Sequence, residues 1–478
     1  MKIFFYFSIY DLFFCEIAGR LARRIPHLKF GGIVFGLVGF KRLKERNFTE
    51  DVSVFTPFLR KNGISKQADQ DFLKIKEEEL GIPNLSMLIA SDRAVSKFPR
   101  EKALRILELE VRFVEEILER AAPDLILMDD VCCMLSYLIY KIGKKRGVPV
   151  WSVGTVRLND RVCFYDDCLD QRQDIKEIYQ RLQKISLSEE QRNQAEDYRH
   201  QYVENFMPTD YLKFKTKRPG LSLESARMLF RGAVNYFQDP MDFTRLSIIQ
   251  MIRQRLMRIL RFHSARLLGL FDRPIPEEKF IYYPIQAQPE RSTLILAPFY
   301  LDQIVLIENI SKSLPIDHYL YVKDHPISGG RRPLSEFKRI RRLLNVRLIQ
   351  PEFPSQELVK NCQAVITVSN TVGMEAILFE KPLIVLGDAF YTIYKLATYV
   401  DNIKDLPLKI PEVLRNFNPD REELYRFLIA VLEGSYPGTR RHPVIVPYVM
   451  SEENLEKVAK GLLKQIEKHF ANCTPRTS

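Results

Sequence analysis

A chain of 478 residues exceeds the size that one hydrophobic core normally supports, so its length predicts two or three domains. Its composition, 46% hydrophobic and 28% charged, is typical of a globular protein, and no run reaches the roughly 18 apolar residues that cross a bilayer. The net charge of +12 suits phosphorylated ligands, anionic membranes or nucleic acid. Because the basic run 331–347 lacks the interleaved aromatic residues of a nucleic-acid groove, we expect no nucleic-acid partner and interpret the run mainly as a solvated helix face.

The N-terminal stretch 1–7 is apolar, but charged residues from Asp11 to Arg24 follow it and no small-residue cleavage site is present. We interpret it as a first strand and helix instead of a signal peptide. The seven cysteines are scattered, odd in number and without a C-x-x-C pair, which is typical of reduced thiols. These features predict a cytoplasmic protein without disulfides or a metal site.

The first third of the chain alternates strands with helices. The predicted elements are, in order, strand 3–8, helix 11–24, strand 32–36, helix 101–122, strand 123–128, helix 134–146 and strand 148–153. This alternation is typical of a parallel sheet wrapped by helices. We therefore predict a Rossmann-like β/α domain over residues 1–167.

Residues 168–278 are predicted to form a helical, charged linker or insert. The helix 244–270 carries Ile249, Ile252, Leu256, Ile259, Leu260 and Leu267 on one face, and seven arginines lie between residues 245 and 273. A basic amphipathic helix of this kind can lie on an anionic membrane surface. The alternative is a linker helix packed between domains with its charges in water.

A second β/α series follows and defines a second Rossmann-like domain over 279–445. Its predicted elements are strands 279–284 and 292–296, helix 303–313, strands 318–322 and 345–349, helix 355–362, strand 364–368, helix 372–379 and strand 382–387. Residues 446–478 are predicted to form a C-terminal helix and tail. Two such domains joined by a linker predict an α/β fold with a ligand cleft between them.

The junction 369–376 between a predicted strand and helix is the clearest candidate binding site. Ser369 and Thr371 lie where a helix begins, and helix N-termini favour phosphate groups. Glu375, one turn further on, is placed to reach a ribose hydroxyl. The alternative is an ordinary capped helix.

Two further polar segments follow predicted strands of the same domain. Lys323 and His325 come directly after strand 318–322, where both could contact a phosphate. Gln286, Gln288 and Glu290 follow strand 279–284, where amides and a carboxylate could bind a sugar or base. The alternative for the second segment is a rigid turn made by its prolines.

Three aspartates of the first domain are candidate catalytic groups. Asp129 and Asp160 follow strands, and Asp92 lies in a polar loop cluster. A carboxylate at such a position can serve as base or nucleophile. An ion pair or a helix cap is the alternative for each of them.

With these motifs in order, the second domain resembles the capsule polysaccharide biosynthesis family, which includes the bacterial Kdo transferases of capsule assembly. The resemblance rests on residues 283–290, 302–303, 321–326, 369–376, 381–387 and 390–391. Two positions depart from the family pattern. Gln286 stands where many relatives have histidine, and residues 155–161 replace an E-D-G-F-x-R-like segment of the Kdo enzymes.

The resemblance implies a metal-independent glycosyltransferase of the GT-B type, whose first domain binds the acceptor and whose second domain binds a nucleotide-sugar donor. Kdo transferases, and sialyltransferases with a similar His-Pro element, use CMP-sugars, so a CMP-sugar is the favoured donor and no separate cofactor is expected. Carried over, His325 would bind the donor phosphate, and Ser369 and Thr371 would complete the phosphate site. Glu375 would sit at the ribose or base.

We therefore predict a glycosyltransferase at the inner face of the cell membrane that adds a sugar to a surface-polysaccharide or glycolipid acceptor. Two alternatives stay open. One is a nucleotide-sugar epimerase with the same two-domain layout, which would convert its donor with no acceptor present. The other is a non-catalytic partner of the capsule assembly or export machinery.

Overall fold

The computed structural model describes residues 1–8, 11–48, 50–157, 160–204, 219–220, 222–288, 290–325, 328–441, 443 and 446–473. The chain forms two compact units. The first unit consists of Met1–Cys168, Phe230–Ser247 and Gly434–Ser478, and the second unit consists of Leu169–Leu229 and Ile248–Glu433.

Among the described residues, each unit contains one β-sheet. The strands in chain order are β1 (Lys2–Phe7), β2 (Lys29–Val34), β3 (Val52–Val54), β4 (Leu125–Met128), β5 (Val150–Thr155), β6 (Arg161–Tyr165), β7 (Phe280–Pro284), β8 (Tyr319–Lys323), β9 (Val346–Ile349), β10 (Ala364–Thr367), β11 (Leu383–Val385), β12 (Ala397–Tyr399) and β13 (Tyr436–Pro437). The first sheet has the order β13-β6-β5-β4-β1-β2-β3, and the second has the order β12-β11-β10-β7-β8-β9. Neighbouring strands run parallel except for the antiparallel pairs β5–β6 and β6–β13.

Helices connect most of the strands. In chain order they are α1 (Asp11–Ala22), α2 (Leu37–Lys44), α3 (Phe55–Asn62), α4 (Gln70–Glu79), α5 (Leu85–Ser91), α6 (Arg100–Ala121), α7 (Met134–Lys145), α8 (Gln173–Leu182), α9 (Glu189–Glu204), α10 (Leu223–Gln238), α11 (Ile248–Leu267), α12 (Arg291–Leu294), α13 (Gln303–Lys312), α14 (Leu334–Ile340), α15 (Ser355–Asn361), α16 (Thr371–Leu378), α17 (Leu406–Asn416), α18 (Arg421–Glu433) and α19 (Glu452–Cys473). Short 3₁₀ turns occur at Val95–Lys97, Pro298–Tyr300, Phe390–Ile393, Ile403–Asp405 and Pro447–Met450.

The chain reverses its progress through each sheet at one place. In the first sheet the reversal lies between β1 and β4, and in the second it lies between β7 and β10. This is the strand arrangement of Rossmann-like folds, which bind ligands beyond the carboxyl ends of the strands at the reversal. The prediction of an α/β fold with two Rossmann-like units is confirmed, and the cleft expected between them stays a prediction.

Both sheets are buried by apolar side chains, as parallel strands covered on two faces require. In the first unit, residues 3–7 of β1 are all buried, and their core includes Phe14 of α1 and Leu462 of α19. In the second unit, Ile281 of β7 and Ile366 of β10 belong to one core. These buried strands fix the positions from which the polar loops depart.

The observed unit boundaries differ from those predicted from the sequence. The C-terminal helix α19 belongs to the first unit because it covers α1, where Arg24 pairs with Glu456. The stretch 230–247 also belongs to the first unit, since the Asp239 carboxylate accepts a hydrogen bond from the Leu37 N–H at 2.7 Å. Contacts between residues this far apart in the chain leave no local sequence pattern, so the predicted linker 168–278 is divided between the two units.

The prediction of a strand at 292–296 is wrong. This stretch contains most of the short helix α12, in which the carbonyls of Glu290 and Arg291 accept hydrogen bonds from the N–H groups of Leu294 (3.0 Å) and Ile295 (2.9 Å). Its apolar residues are buried, as a strand would require. A short apolar run can be buried equally well by a helical turn, so periodicity does not distinguish the two.

Candidate functional site

Three of the predicted ligand-binding segments leave neighbouring strands of the second sheet. Lys323 is the last residue of β8 and pairs in register with Pro284, the last residue of β7. On the other side of β7, β10 leads through Ser369 into α16. Because parallel strands present their carboxyl ends at one edge, the structure brings these segments together at the reversal between β7 and β10.

Lys323 is a buried cation whose ammonium group has N–H donors available for a ligand. Only 3% of the residue is exposed, and its ammonium group donates to the Ser355 hydroxyl at 3.2 Å. An ammonium group carries three N–H donors. Burial lowers the pKa of Lys323 to about 8, against the opposing effects of Asp324, Glu375 and Glu352. The side chain is therefore mostly protonated at neutral pH and can donate to an anion.

Glu375, on α16, is buried beside this cation. The residue is 7% exposed, and its Oε2 atom has no hydrogen-bond partner in the described part of the chain. Burial raises the pKa of Glu375 to about 7, and Lys323 opposes this shift. A buried oxygen without a partner is unfavourable until a proton or a ligand satisfies it. The carboxyl group is thus suited to accept a hydrogen bond from a ligand hydroxyl.

A second buried group without a partner belongs to Gln286, just beyond β7. Among the described residues, nothing accepts a hydrogen bond from its Nε2 atom. Its backbone is held from both sides, since its N–H donates to Gln303 Oε1 at 3.3 Å and its carbonyl accepts from Arg332 at 2.8 Å. Arg332 also donates to the buried Asp324 carboxylate at 2.8 Å. The Gln286 amide is therefore anchored and keeps a donor for a ligand.

The cap of helix α16 is Asn370, not one of the two hydroxyl residues beside it. Its Oδ1 atom accepts a hydrogen bond from the Val372 N–H at 2.8 Å, and its carbonyl accepts the Tyr391 hydroxyl at 2.7 Å. Gly373 makes this approach possible, because a Cβ atom there would lie 2.5 Å from the Tyr391 ring. Asn370 and Tyr391 thus fix the N-terminus of the helix.

Ser369 and Thr371, the predicted phosphate contacts, flank this cap. Ser369 is fully buried, and its hydroxyl donates to the Ser292 carbonyl at 3.4 Å. Thr371 is exposed at the first helical position. The sequence predicted that the free backbone N–H groups here bind a phosphate, but one of them, that of Val372, donates to the Asn370 side chain. Thr371 therefore remains the more accessible of the two predicted contacts.

The other residues that are predicted to contact the nucleotide-sugar donor lie in loops at the same edge of the second sheet. His325 is partly exposed, and its N–H donates to the Asp324 carboxylate at 2.9 Å. Gln288 donates to the Leu301 carbonyl at 2.7 Å, which matches the rigid-turn alternative for this segment. Glu290 is exposed and precedes α12. Solvent therefore reaches His325 and Glu290, whereas Gln288 supports its own loop.

A buried charge cluster, which the sequence did not indicate, lies next to Ser369. Asp170 is fully buried and forms ion pairs with Arg172 at 2.7 Å and Arg291 at 3.6 Å. Arg291 directly precedes Ser292, whose carbonyl accepts the Ser369 hydroxyl. The three charged side chains carry one net positive charge, which favours an anionic ligand at this edge.

In the first unit, Asp129 lies directly after β4 as a buried carboxylate. Its Oδ1 atom accepts from Arg440 Nε at 3.0 Å, and its Oδ2 atom accepts from the Ser8 hydroxyl. Burial raises the pKa of Asp129, while Arg440 and Ser8 oppose the shift. Asp129 thus lies at the reversal of the first sheet, where a catalytic group is expected. It also forms an ion pair with Arg440, which was the alternative role predicted for it.

Asp92 is bound to backbone groups through both of its oxygens. Oδ1 accepts from the N–H groups of Ala94 (2.8 Å) and Val95 (2.9 Å), and Oδ2 accepts from the Met134 N–H (3.1 Å). A carboxylate with these contacts stabilises the loop and the start of α7. The geometry favours the cap alternative for Asp92.

Asp160 lies in the turn between β5 and β6. Its side chain is exposed, its backbone is left-handed with φ of 58°, and its carbonyl accepts from the Gly438 N–H at 2.9 Å. Aspartate is among the residues that tolerate this conformation. The structure therefore does not bring Asp160 into the buried network around Asp129, and its carboxylate is open to solvent.

Sequence reasoning missed three residues that organise these edges. Arg332 belongs to the run 331–347 read as a solvated face, and that reading is wrong for it, because Arg332 is buried against Asp324. Asn370 could have been found, since asparagine is a preferred N-cap residue. Arg440 pairs with Asp129 across 311 positions of sequence, a separation that no local pattern reports.

Helix α11 turns Arg258 and Arg261 toward the rest of the second unit and exposes an apolar stripe. Arg258 and Arg261 donate to the carbonyls of Gly329 (2.8 Å) and Arg331 (2.9 Å). The exposed stripe consists of Ile249, Ile252, Leu256, Leu260 and Leu267, the last of which is 90% exposed. Arg258 thus forms a partly buried hydrogen bond with the protein, whereas Arg253 is exposed, as the alternative of a helix with its charges in water predicts. Across the described ranges, no helix is both long and apolar enough to cross a bilayer.

The second unit is thus a Rossmann-like unit whose sheet reversal carries a site suited to an anionic, hydroxyl-bearing ligand. Residues 279–404 match the family model described as capsule polysaccharide biosynthesis protein. The matched range covers about a quarter of the chain. It contains the candidate binding residues at the edge of the second sheet, from Gln286 to Glu375. The resemblance of the second domain to this family is confirmed.

Two curated relatives share shorter stretches with the chain. The capsule polysaccharide export protein KpsS of Escherichia coli is 32% identical over 102 residues, which cover 20% of this chain and 25% of that protein. Protein FixF of Sinorhizobium fredii is 27% identical over 157 residues, which cover 31% of this chain and 36% of that protein. The chain therefore spans about a quarter to a third of the length of these relatives.

Among solved structures, the chain is similar to the beta Kdo 2,7 transferase KpsC of Thermosulfurimonas dismutans. The two are 15% identical, and the match covers 74% of this chain and 89% of that chain with a TM-score of 0.34. A score this low corresponds to a partial superposition of the two chains.

Proposed function

We propose that the chain is a glycosyltransferase of surface-polysaccharide or glycolipid biosynthesis, of the GT-B type, that transfers a sugar from a nucleotide-sugar donor to a saccharide acceptor. The observation that carries the proposal is the group formed by Lys323, Glu375 and Gln286 at the reversal of the second sheet. Each of these buried side chains has a hydrogen-bond donor or acceptor that no described residue satisfies. The family match over 279–404 contains all three.

The proposed donor site neutralises the phosphate that departs with the nucleotide. Lys323 supplies a mostly protonated ammonium group at neutral pH, and Thr371 lies at the positive end of the α16 dipole. His325 is placed at the solvent side of the same edge. Fixed cationic groups of this kind stabilise charge that develops on a leaving group, without a metal ion. The CMP-sugar preference comes from the family resemblance.

The remaining donor contacts follow from hydrogen-bond chemistry. Glu375 accepts from a ribose hydroxyl, and the Gln286 amide donates to a base or sugar oxygen. Ser369, whose buried hydroxyl donates to the Ser292 carbonyl, supports the phosphate site from within the protein. Glu290 is exposed at the mouth of this edge, whereas Gln288 acts through its loop.

The acceptor side belongs to the first unit. Of the three predicted carboxylates, Asp92 is held by backbone N–H groups at the start of α7, so we assign the role of accepting a proton from an acceptor hydroxyl to Asp129 or Asp160. Asp129 combines burial with a raised pKa, whereas Asp160 is exposed. A direct comparison of substitutions at these two residues separates their roles.

The chain is further proposed to act on the cytoplasmic side of the inner membrane, held there by the stripe of α11. The exposed leucines of this stripe share α11 with Arg253, whose side chain is also exposed. Apolar side chains flanked by cations are the combination that binds anionic lipid surfaces. Contact with the membrane would bring the enzyme to a lipid-linked acceptor.

A non-catalytic partner of the capsule export machinery is the second candidate, favoured by the match to KpsS, which is named as an export protein. An epimerase of similar layout is the third. A thermal-shift series with CMP, UDP, GDP and their sugars, followed by transfer assays with and without an oligosaccharide acceptor, distinguishes them. A ligand at 100 times its dissociation constant stabilises by about 2.7 kcal/mol.

A transferase is stabilised by one nucleotide class and consumes the sugar only with acceptor present. Conversion of UDP-N-acetylglucosamine alone would identify an epimerase, and no shift with any nucleotide would favour the non-catalytic partner. In a transferase, His325→Ala should abolish transfer while the fold remains intact. Near-normal turnover in that variant would contradict the phosphate role of His325.

A further inference from the structure

The first unit contains a cysteine pair at its sheet reversal that the proposed function does not use. Cys132 and Cys133 lie between β4 and α7, and Cys133 is the N-cap residue of α7. Both are partly exposed, and the six cysteines whose side chains are described are all thiols. Reagents in solution can therefore reach this pair.

The start of α7 favours the anionic form of Cys133. The Ser136 N–H donates to the Cys133 sulfur, while the Ser136 hydroxyl accepts from the Cys133 N–H at 3.1 Å. A hydrogen bond from the Cys132 thiol lowers the pKa of Cys133 to about 7, although burial and the Asp92 carboxylate oppose this effect. The pKa of Cys132 itself is raised well above its ordinary value, chiefly through the same hydrogen bond. One cysteine is thus the thiolate and the other its donor, which is the arrangement of reactive cysteines at helix N-termini.

A buried acid completes the surroundings of the thiolate. Glu110 of α6 is 1% exposed, interacts electrostatically with Cys133, and has an Oε2 atom with no hydrogen-bond partner among the residues described. Burial raises the pKa of Glu110 well above its ordinary value, and the nearby Asp92 and Cys133 act in the same direction. The Tyr6 hydroxyl lies 3.7 Å from the Cys133 sulfur. The other charged groups that act on the pair are Asp92, Arg93 and Asp129.

We propose that Cys133 is a site of reversible modification by small disulfides. The Cys133 thiolate attacks one sulfur of the disulfide, so a new sulfur–sulfur bond forms and the disulfide's own bond breaks. The second half leaves as a thiolate and takes a proton from water. Cys133 is oxidised and the leaving half is reduced, so no other oxidant takes part. The Tyr6 hydroxyl and the Glu110 Oε2 atom, which has no partner among the described residues, supply polar contacts beside the attached group.

Modification at this position would change the same sheet edge that holds Asp129. Asp129 acts electrostatically on Cys132, directly next to the modified residue. If the first unit binds the acceptor, the attached group slows transfer. This consequence rests on the proposed function, whereas the chemical step does not, because it needs neither donor nor acceptor.

The test is residue-resolved mapping of the native full chain after brief exposure to glutathione disulfide, with acid quenching and peptide mass analysis. At pH 7 we expect Cys133 to be modified at least about tenfold faster than Cys168, another partly exposed cysteine, because thiolate fraction controls the rate. The rate at Cys133 should rise with pH around a midpoint near 7. First modification at Cys15 or Cys168, or a Cys133 midpoint near the ordinary thiol value of about 8.5, would overturn the proposal.

Two variants separate reactivity from folding. Cys132→Ala removes the hydrogen-bond donor and should move the Cys133 midpoint upward, so modification slows at pH 7 but not at pH 10. Cys168→Ala is the matched control and should leave both the rate and the midpoint at Cys133 unchanged. An unchanged midpoint in Cys132→Ala would contradict the assigned role of Cys132.

Discussion

Lys323 and Glu375 are both buried in the second unit and act on each other electrostatically, yet no ion pair joins these two described residues. Burial shifts their pKa values toward each other, to about 8 for Lys323 and about 7 for Glu375. Each keeps hydrogen-bonding capacity that the described protein does not use. A ligand that brings a phosphate to the lysine and a hydroxyl to the glutamate would satisfy both, which is the chemistry of a nucleotide.

Nucleotide binding should weaken as pH rises through about 8. The protonated form of Lys323 binds a phosphate, so affinity is largely retained below the pKa of about 8 and falls above it by up to tenfold per pH unit. Ionisation of Glu375 above about pH 7 adds a negative charge and acts in the same direction. Calorimetric titrations of CMP between pH 6 and 9.5 measure the profile. Affinity that stays constant or rises across this range would contradict the role of Lys323.

Glu375→Gln should remove a pH-dependent component of folding stability. Because folding raises the pKa of this carboxyl group from 4.5 to about 7, the stability it contributes is fully present below pH 4.5 and is lost as pH rises through 7. The wild-type chain should therefore lose about 3 kcal/mol more than the variant between these limits, at about 1.36 kcal/mol per unit of pKa. Urea unfolding at pH 4.5 and 7.5 measures the difference. Equal losses in both chains would show that Glu375 ionises normally.

Asp129→Asn and Asp160→Asn should differ sharply in stability. Asp129 is buried against Arg440, and removing one partner of a buried ion pair leaves the other uncompensated, at a cost of about 3–5 kcal/mol. Asp160 is exposed, so its substitution should change stability by no more than about 0.5 kcal/mol. Denaturant midpoints measure both effects.

The same pair tests which carboxylate takes part in transfer. If Asp160 is the base, Asp160→Asn loses transfer while remaining folded. If Asp160→Asn keeps full turnover, Asp129 is the remaining candidate, and its loss of activity must then be measured below the temperature at which that variant unfolds.

Much of the fold followed from the sequence because it depends on local signals. The spacing of apolar residues in α6 and the apolar run of β1 are each readable within a short window, and both elements occur as predicted. The assignment of α19 to the first unit was not readable, because it depends on contacts between Arg24 and Glu456. Local periodicity reports which face is apolar, but not which distant element covers it.

The candidate site divides in the same way. Lys323, Gln286 and Glu375 could be placed because strand ends and helix starts position them. The roles of Arg332 and of the Asp170–Arg291 pair could not, since their partners are set by the fold. For α11 the sequence correctly separated apolar from basic positions, but it did not indicate that Arg258 and Arg261 donate hydrogen bonds to backbone carbonyls of the second unit.

Binding to anionic vesicles should depend on the exposed stripe of α11. Leu260→Asp or Leu267→Asp should weaken sedimentation with phosphatidylglycerol vesicles by about tenfold or more, because burial of one leucine contributes about 1.5–3 kcal/mol. Leu344→Asp is the matched control, since Leu344 is 99% exposed but lies outside the stripe. Equal binding by all three variants, or no binding by the wild-type chain, would contradict a membrane contact through α11.

We propose that the edge formed by Lys323, Glu375 and Gln286 binds the donor nucleotide, and calorimetric titration of CMP at pH 7 checks this claim. We expect one site in the wild-type chain and a loss of about 10- to 100-fold in Lys323→Met, because a hydrogen bond to a charged group contributes about 1.5–3 kcal/mol. Lys312→Met, at an exposed lysine that ends α13, is the matched control and should bind normally. Equal CMP affinity in Lys323→Met and the wild-type chain would contradict the claim.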